Sequence, residues 1–469
     1  MTNLAIIGGG ITGLSAAWFA QQAGLSYTLL EASARLGGKV TTERVGDFVI
    51  EGGPDSFLTQ KPAALQLARD LGLSEQLIPI NSRPHATYVL HHGQPIPLPE
   101  GVALIVPTKF APFLRSPLLS PLGKLRMALD WVLPARRDDA DETLADFVRR
   151  RLGSEAVDKL AAPLMAGIYN AEAEEQSLLA TFPRYRDLER KYGSIIRGTR
   201  EQRKAQKPSG QPAFMTLRDG TQILIDALVD NLRGDVRLNT KVQSIEPIGT
   251  RSSLNGSDAA LYTLTLGSGE RIDADAVLIT APAYVAADLI RVLAPKAATV
   301  LGSLRYLSSG TISLVYHADQ IQHPIDGFGV IIPPSERRSI NAITISSDKF
   351  AGRAPGDHVL LRVFFGGSRS PQMMALGDDD LIIRVRAELS GILGIDAPPL
   401  LSRIYRWQNA NPQYDLGHLQ RIDTLEASLP PGLRVAGSAY RGVGLPDCIQ
   451  QAQTQVQRLI QPMQRVNHV

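Results

Sequence analysis

Three glycines, Gly8, Gly10 and Gly13, stand at the spacing Gly-x-Gly-x-x-Gly, and an acid, Glu31, follows Gly8 by 23 residues. Glycines so placed serve a phosphate. The first permits a tight turn, the second lets backbone approach the anion, and the third lets a helix pack closely on a strand. A helix opening there presents free N–H groups and the positive end of its dipole. An acid at the end of the next strand suits ribose hydroxyls and disfavours a 2′-phosphate. The chemistry implied is capture of the ADP half of a dinucleotide.

Such a loop works only between a strand and a helix. Leu4–Ile7 is a short apolar run suited to a buried parallel strand, Thr12–Ala23 is rich in small helix formers, and Tyr27–Leu30 reads as the strand that Glu31 ends. The 27 residues from Leu4 to Leu30 carry no charge, long enough to pass for a membrane span. Five glycines within them, Gln21 and Gln22, and the lack of a preceding basic segment or a cleavage site point instead to a β-α-β unit.

Two further glycine turns follow, Arg35-Leu36-Gly37-Gly38-Lys39 and Glu51-Gly52-Gly53-Pro54-Asp55-Ser56-Phe57. Taken singly each is only a loop. Together with IIGGGITGLSAA (6–17), APLMAGIYNAE (162–172), GFGVIIPPSE (327–336), RWQNANPQY (406–414) and GSAYRGVGLPDCI (437–449), they give the chain a resemblance to the FAD-dependent amine-oxidase-like superfamily. Within it the chain is most similar to the bacterial porphyrinogen oxidases.

That resemblance implies FAD held by Gly8, Gly10, Ile11, Thr12, Gly13, Glu31, Ala32, Arg35, Gly38, Lys39, Gly53, Pro54, Asp55, Ser56, Val242, Trp407, Val443, Gly444 and Leu445. It implies a flat tetrapyrrole bearing carboxylates, near Gly167, Phe328, Ile331, Thr344 and Phe364, with Lys61 as the chosen propionate partner. The reaction implied is oxidation of coproporphyrinogen III or protoporphyrinogen IX to the porphyrin in haem biosynthesis, with O₂ as acceptor and H₂O₂ released. No side chain is assigned as catalytic, because flavin N5 carries the chemistry. The alternatives that share the N-terminal motif are a flavin amine oxidase and a carotenoid desaturase-like enzyme.

Composition narrows the remaining classes. The 469 residues carry a net charge of +3, too mild for a dedicated nucleic-acid binder, so no nucleic-acid partner is expected. A single cysteine, Cys448, forbids an internal disulfide and a CxxC relay, and the 8 histidines lack zinc-site spacing, so no metal is expected. A reducing, cytoplasmic setting follows as the expectation.

The architecture expected is α/β, a Rossmann-like FAD/NAD(P)-binding domain with an inserted α+β substrate domain and a mostly helical insertion. The cofactor domain is expected to be discontinuous, from 1–60, 211–285 and 405–469, with the substrate domain at 61–84 and 286–404 and the helical insertion at 85–210. The insertion combines apolar runs over 103–133 with nine Lys/Arg against three acids from Arg184 to Lys207. Two readings suit it. One is a surface for the inner face of the cell membrane or for a partner, giving weak peripheral attachment. The other is a helical cap over the substrate cavity with a solvated basic face. A homodimer and hand-off of the porphyrin to a ferrochelatase complete the expected partners.

Overall fold

A computed structural model describes residues 3–82, 86–103, 105–169, 171–205, 212–252 and 258–464. Its first elements are strand β1 (Asn3–Ile7), helix α1 (Ile11–Gln22) and strand β2 (Ser26–Leu30), the expected β-α-β unit. With the strands Asp235–Arg237, Ala276–Ile279 and Leu433–Val435 they form a five-stranded sheet that is parallel throughout. Numbered along the chain, its order is 3-2-1-4-5, one half of a doubly wound dinucleotide fold.

A parallel sheet is buried on both faces, which is why β1 lacks polar alternation. Leu4 and Ile6 enter a core with α1 and the last helix, Leu445–Gln464. Ala5 and Ile7 enter the opposite core, with the antiparallel strands Val242–Ser252, Asp258–Leu266 and Arg271–Ala274 and the helix Ala283–Ile290. The chain must leave this sheet and return to complete it, because its strands come from residues 3–30, 235–279 and 433–435.

The excursions build a seven-stranded sheet. Its order is Leu401–Pro412, Tyr306–His317, His358–Gly366, Ile340–Ile345, Gly327–Ile331, Ala86–His91 and Gln94–Pro97. All pairs are antiparallel except Gly327–Ile331 with Ala86–His91. One face, including Ile312, Leu314, Val330, Ile343, Val363 and Phe365, packs in a core with helix Asp378–Leu393.

Two stretches sit otherwise than the sequence suggested. Residues 86–97, assigned above to the helical insertion, are a hairpin of this sheet, and the strand Leu401–Pro412 crosses the boundary drawn at 405. Pro95 and Pro97 disguised the first, yet its outer strand is a sheet edge, where proline is tolerated. The second is the opposite edge, and it shows little of the continuous burial that marks inner strands.

Helices between Phe110 and Ala205 form a separate apolar core around Phe113, Leu118, Phe147, Tyr185 and Ile195. An ion pair with no solvent exposure ties it together: Arg151 Nε donates to Asp130 Oδ1 at 2.6 Å. The same guanidinium donates to the carbonyls of Leu133 and Pro134 at 3.1 Å each and of Gly193 at 2.8 Å, while Asp130 accepts the Ile196 N–H at 2.9 Å. Removing one partner of such a pair strands the other charge, at about 3–5 kcal/mol. Arg151→Ala is therefore expected to lower the thermal unfolding midpoint of the flavin-loaded protein and to expose the 110–205 helices to limited proteolysis first. An unchanged midpoint contradicts this role.

Candidate cofactor and substrate site

The glycine loop closes on itself. A Cβ at Gly13 would stand 1.8 Å from the Gly8 carbonyl oxygen, so only glycine lets α1 start where it does. At Gly10 a Cβ would meet only the Gly38 Cα, at 3.9 Å, which leaves room over the start of α1 for a ligand. The helix has neither a side-chain cap nor an acid in its first turn, so its leading N–H groups keep their positive field.

Glu31 leaves the end of β2 and turns back to the loop. Its Oε2 accepts the Gly9 N–H at 2.6 Å, and its Oε1 accepts the Ser33 N–H at 2.8 Å and the Ser33 hydroxyl at 2.7 Å. A carboxylate has about four acceptor sites, so the group is fixed in direction and retains capacity for a sugar hydroxyl. Ala32 continues the chain beside it. Thr240 N–H donates to the Glu31 carbonyl at 2.7 Å, which brings the neighbouring Val242, buried in the second core, up to this end of the sheet.

The two cations of the next turn divide. Arg35 donates to the carbonyls of Leu36 at 3.0 Å and Val40 at 3.3 Å and also to that of Gly38, so its guanidinium braces its own loop rather than reaching across it. Lys39 donates to the Ala410 carbonyl. Burial pushes its ammonium below the usual lysine range, and the one charge partner that raises it is the Cys448 thiol. A buried cation facing only neutral partners suits an anionic ligand. Cys448 itself is buried, and desolvation pushes its thiol up to about 11, so it is a packed thiol rather than a nucleophile.

The turn at Gly52–Ser56 is a joint. Trp407 Nε1 donates to the Gly52 carbonyl at 2.9 Å, Arg362 to that of Gly53 at 2.6 Å, and Thr221 Oγ1 to that of Pro54 at 3.0 Å. Asp55 pairs with Lys349 at 2.8 and 3.0 Å and accepts the Ser56 hydroxyl at 2.6 Å. Burial opposes ionisation of Asp55, but Lys349 and Arg362 outweigh it and hold the carboxyl well below the usual range. Just before the turn, Glu51 accepts from Thr42 at 2.7 Å and from the Thr221 N–H and hydroxyl at 2.9 Å each; burial raises its pKa against these bonds and Arg353.

Register places three of the expected substrate residues on one face of the seven-stranded sheet. Ile331 lies opposite Ala342, Ala342 opposite Phe364, and Phe364 opposite Thr311. Thr344 lies opposite Arg362 in the parallel row. Alternation puts Trp407 and Tyr405 on the same face, so it is the face that meets the Gly52–Ser56 turn. Phe328 is the extra residue of a β-bulge between Gly327 and Gly329. The Arg362 guanidinium lies 5.0 Å from the Phe364 ring centre, and Arg362 Nε and Thr311 Oγ1 are buried on this face without a protein partner. Gly167 falls in the helix Ala162–Tyr169, and its surroundings lie outside the described residues.

At the far end of the chain, Val443 and Gly444 lead into Leu445 at the start of the last helix. Asp447 accepts the Gly444 N–H at 3.2 Å and pairs with Lys61 at 2.7 Å. The Lys61 ammonium, expected to meet a propionate, is thus engaged at the entry to the last helix. Pattern reading overlooked Tyr414 and His418, which brace the loop before that helix. The rings stack at 4.0 Å; Tyr414 donates to the Ser438 carbonyl at 2.8 Å and accepts the Gly442 N–H at 2.7 Å. Burial pushes His418 down to about 4, so it is neutral, and its Nε2 lies 2.7 Å from the Tyr440 carbonyl. Tyr414 ends a quoted motif, but nothing in spacing announces the stack. Nor does spacing show that His317, Asp357 and His358 bring potential ligand atoms within 4.8 Å of one another across paired strands.

The fold and the loop are those of a dinucleotide-binding oxidoreductase. Residues 11–460 match the model of the flavin containing amine oxidoreductase family, and the chain belongs to that family. It is 36% identical over 468 residues to the coproporphyrinogen III oxidase of Bacillus subtilis (strain 168), covering 97% of each chain. It is 32% identical to the chloroplastic protoporphyrinogen oxidase of Oryza sativa subsp. japonica, covering 95% of this chain and 86% of that one. A crystal structure from Exiguobacterium sp. 255-15 superposes with a TM-score of 0.85 at 34% identity, covering 98% of both chains. Putrescine oxidase, at 18% identity and a TM-score of 0.71 over 98% of each chain, shares the fold.

The cofactor is therefore a flavin, and the residues fit FAD: open space beside Gly10, an uncapped helix start, a desolvated Lys39 with no carboxylate partner among the described residues, and Glu31 aimed along the loop. Glu31→Ala removes both the sugar-facing carboxylate and the clamp on Gly9. A charge-assisted hydrogen bond contributes about 1.5–3 kcal/mol, so the FAD dissociation constant is expected to rise roughly ten- to hundredfold. Flavin fluorescence titration of the apoprotein checks this, and unaltered affinity removes Glu31 from the site.

Proposed function

We propose that this chain oxidises a porphyrinogen to the porphyrin, removing six electrons and six protons in three two-electron rounds, each balanced by reduction of one O₂ to H₂O₂. The observation that carries the reading is the sheet face of Ile331, Thr344 and Phe364, with Arg362 buried beside Phe364 and the Gly52–Ser56 turn packed against it. A flat apolar wall with an embedded cation suits a flat tetrapyrrole that carries carboxylates. Relatives named coproporphyrinogen III oxidase, at 30–36% identity, and protoporphyrinogen oxidase, at 28–32%, overlap, so the reading covers either porphyrinogen.

Bound FAD supplies a two-electron acceptor at flavin N5. The chain's part is positional. Ile331, Thr344 and Phe364 orient the macrocycle, Arg362 gives their face a positive potential, and the Trp407 and Arg362 bonds to the Gly52–Gly53 turn fix that face relative to the cofactor. Pyrrole protons leave to water or to a porphyrinogen nitrogen, and no general base is assigned. We extend the reading to a homodimer and to hand-off of the porphyrin to a ferrochelatase, the enzyme class that consumes such a product.

The flavoprotein, incubated in air with coproporphyrinogen III, protoporphyrinogen IX and a panel of amines, is expected to produce porphyrin fluorescence and peroxide in step, and no peroxide from the amines. Oxidation of neither porphyrinogen above its spontaneous rate refutes the assignment.

The helical insertion supports a second proposal, weak attachment to the inner face of the cell membrane. No described helix is long and apolar enough to cross a bilayer. Leu114, Leu122, Leu125 and Val132 are 61%, 77%, 63% and 77% exposed, and Arg200 stacks over Phe110 and Trp131 at 4.9 and 5.7 Å. Apolar groups mixed with cations suit an anionic lipid surface. The protein is expected to sediment with phosphatidylglycerol vesicles in a salt-sensitive way, not with phosphatidylcholine vesicles, and less so after L122E/L125E. Equal sedimentation of the variant, or none of the wild type, rules the contact out.

A further inference from the structure

A cleft of about 640 Å³ opens where the turn at 332–340 meets helix Asp378–Leu393. Four arginines line it, Arg337, Arg338, Arg369 and Arg384, against one carboxylate, Glu388. That carboxylate is already engaged. It accepts from Arg338 at 3.3 Å, from the Ser339 N–H at 2.8 Å, and from the Ser339 hydroxyl. Arg369 donates to the carbonyls of Ile332 at 2.7 Å and Ala162 at 2.9 Å, which leaves its Nε buried without a partner. Arg337 is held in the left-handed region at φ 52°, and neither it nor Arg384 is ion-paired among the described residues.

Four guanidinium groups line the cleft against one occupied carboxylate, which gives it a positive potential that favours an anion. Guanidinium is the side chain best matched to the planar oxygens of carboxylate and to phosphate, because it can donate two parallel hydrogen bonds. Buried Ile332, Pro333 and Ile340 add an apolar wall. The volume lies within the range of small-molecule sites. We propose that this cleft binds a small polyanion carrying at least two carboxylate or phosphate groups. The site is coupled to the substrate wall through Arg369. One of its bonds holds Ile332, next to Ile331, and the other holds Ala162, the first residue of the helix that carries Gly167.

The inference does not depend on which substrate the flavin face takes, and binding alone tests it. The FAD-loaded protein is titrated calorimetrically at low ionic strength with inorganic pyrophosphate and, separately, with citrate. Saturable binding of at least one probe is expected, and the preferred one separates a phosphate from a carboxylate ligand. R337Q/R384Q is expected to weaken it tenfold or more with flavin content unchanged, while R291Q/K296Q, the same charge loss elsewhere, leaves it intact. If the double variant loses flavin, R384Q alone is read by the same criterion. No saturable binding to the wild type, equal affinity in the cleft variant, or an equal drop in the control overturns the site.

Discussion

The Gly52–Ser56 turn is where the molecule is joined. It belongs to the segment that leaves the glycine loop, yet its carbonyls and its carboxylate are held by Trp407, Arg362 and Lys349, three side chains from the inserted part of the chain. Each bond spans roughly 300 residues of sequence or more, so none can form until both sheets exist. The joint decides how far the Ile331–Phe364 face stands from the cofactor loop. Its ionic member is shielded from water, with Lys349 and Asp55 18% and 19% exposed. Taking Asp55 out of water is costly, and only two cations close by restore the balance. Loss of Lys349 or Arg362 would leave that carboxylate with half its compensation, at a contact that acts together with the Glu43 bonds to Arg403 and Tyr405 in fixing the second sheet to the N-terminal segment.

A contrast in charge accounting separates structure from site. Within the joint and within the helical cap, buried cations meet carboxylates: Lys349 meets Asp55, Arg353 meets Glu51, and Arg151 meets Asp130. Along the path implied for the cofactor and substrate, Lys39 has no carboxylate partner among the described residues, and Arg362 shares Asp55 with Lys349. Lys39 faces a carbonyl and a protonated thiol, and Arg362 keeps an unpaired Nε beside an unpaired Thr311 hydroxyl. Buried polar atoms are seldom left without partners. Two such atoms stand together on one sheet face, beside the Gly52–Ser56 turn that the resemblance implies for the cofactor.

What was legible in the sequence follows the same physics. The β-α-β unit could be read because a parallel strand is apolar on both faces and because Gly13 is dictated by a steric limit at the Gly8 carbonyl. The second sheet was expected as the β part of an inserted α+β domain, whose inner strands are apolar because they are buried almost throughout. Its edge hairpin and the edge strand Leu401–Pro412 could not be read, since edges accept proline and carry polar residues on both sides. Arg35 and Lys39 look alike in sequence as cations in a glycine turn, and only packing separates the brace from the buried charge. Lys61 and Asp447 are 386 residues apart, and no spacing rule links them. The Tyr414–His418 stack escaped for a related reason: a buried neutral histidine is indistinguishable in sequence from a reactive one.

The order of strands explains why the two ends of the chain meet beside the glycine loop. In a 3-2-1-4-5 sheet the first strand is central and the last is an edge, so α1 and the last helix pack side by side only after the final strand is laid down. Their starts then meet. A Cβ at Gly437 would lie 3.7 Å from Thr12 Oγ1 and 3.7 Å from the Thr280 carbonyl. The uncapped start of α1 and the Gly442–Gly444 entry to the last helix are brought to the same end of the sheet, with Lys39 close to Cys448 of the last helix. Oriented N–H groups and one dehydrated cation there create a positive region that neither segment has alone. A loop that is common to many dinucleotide-binding proteins acquires its particular character from residues more than four hundred positions away.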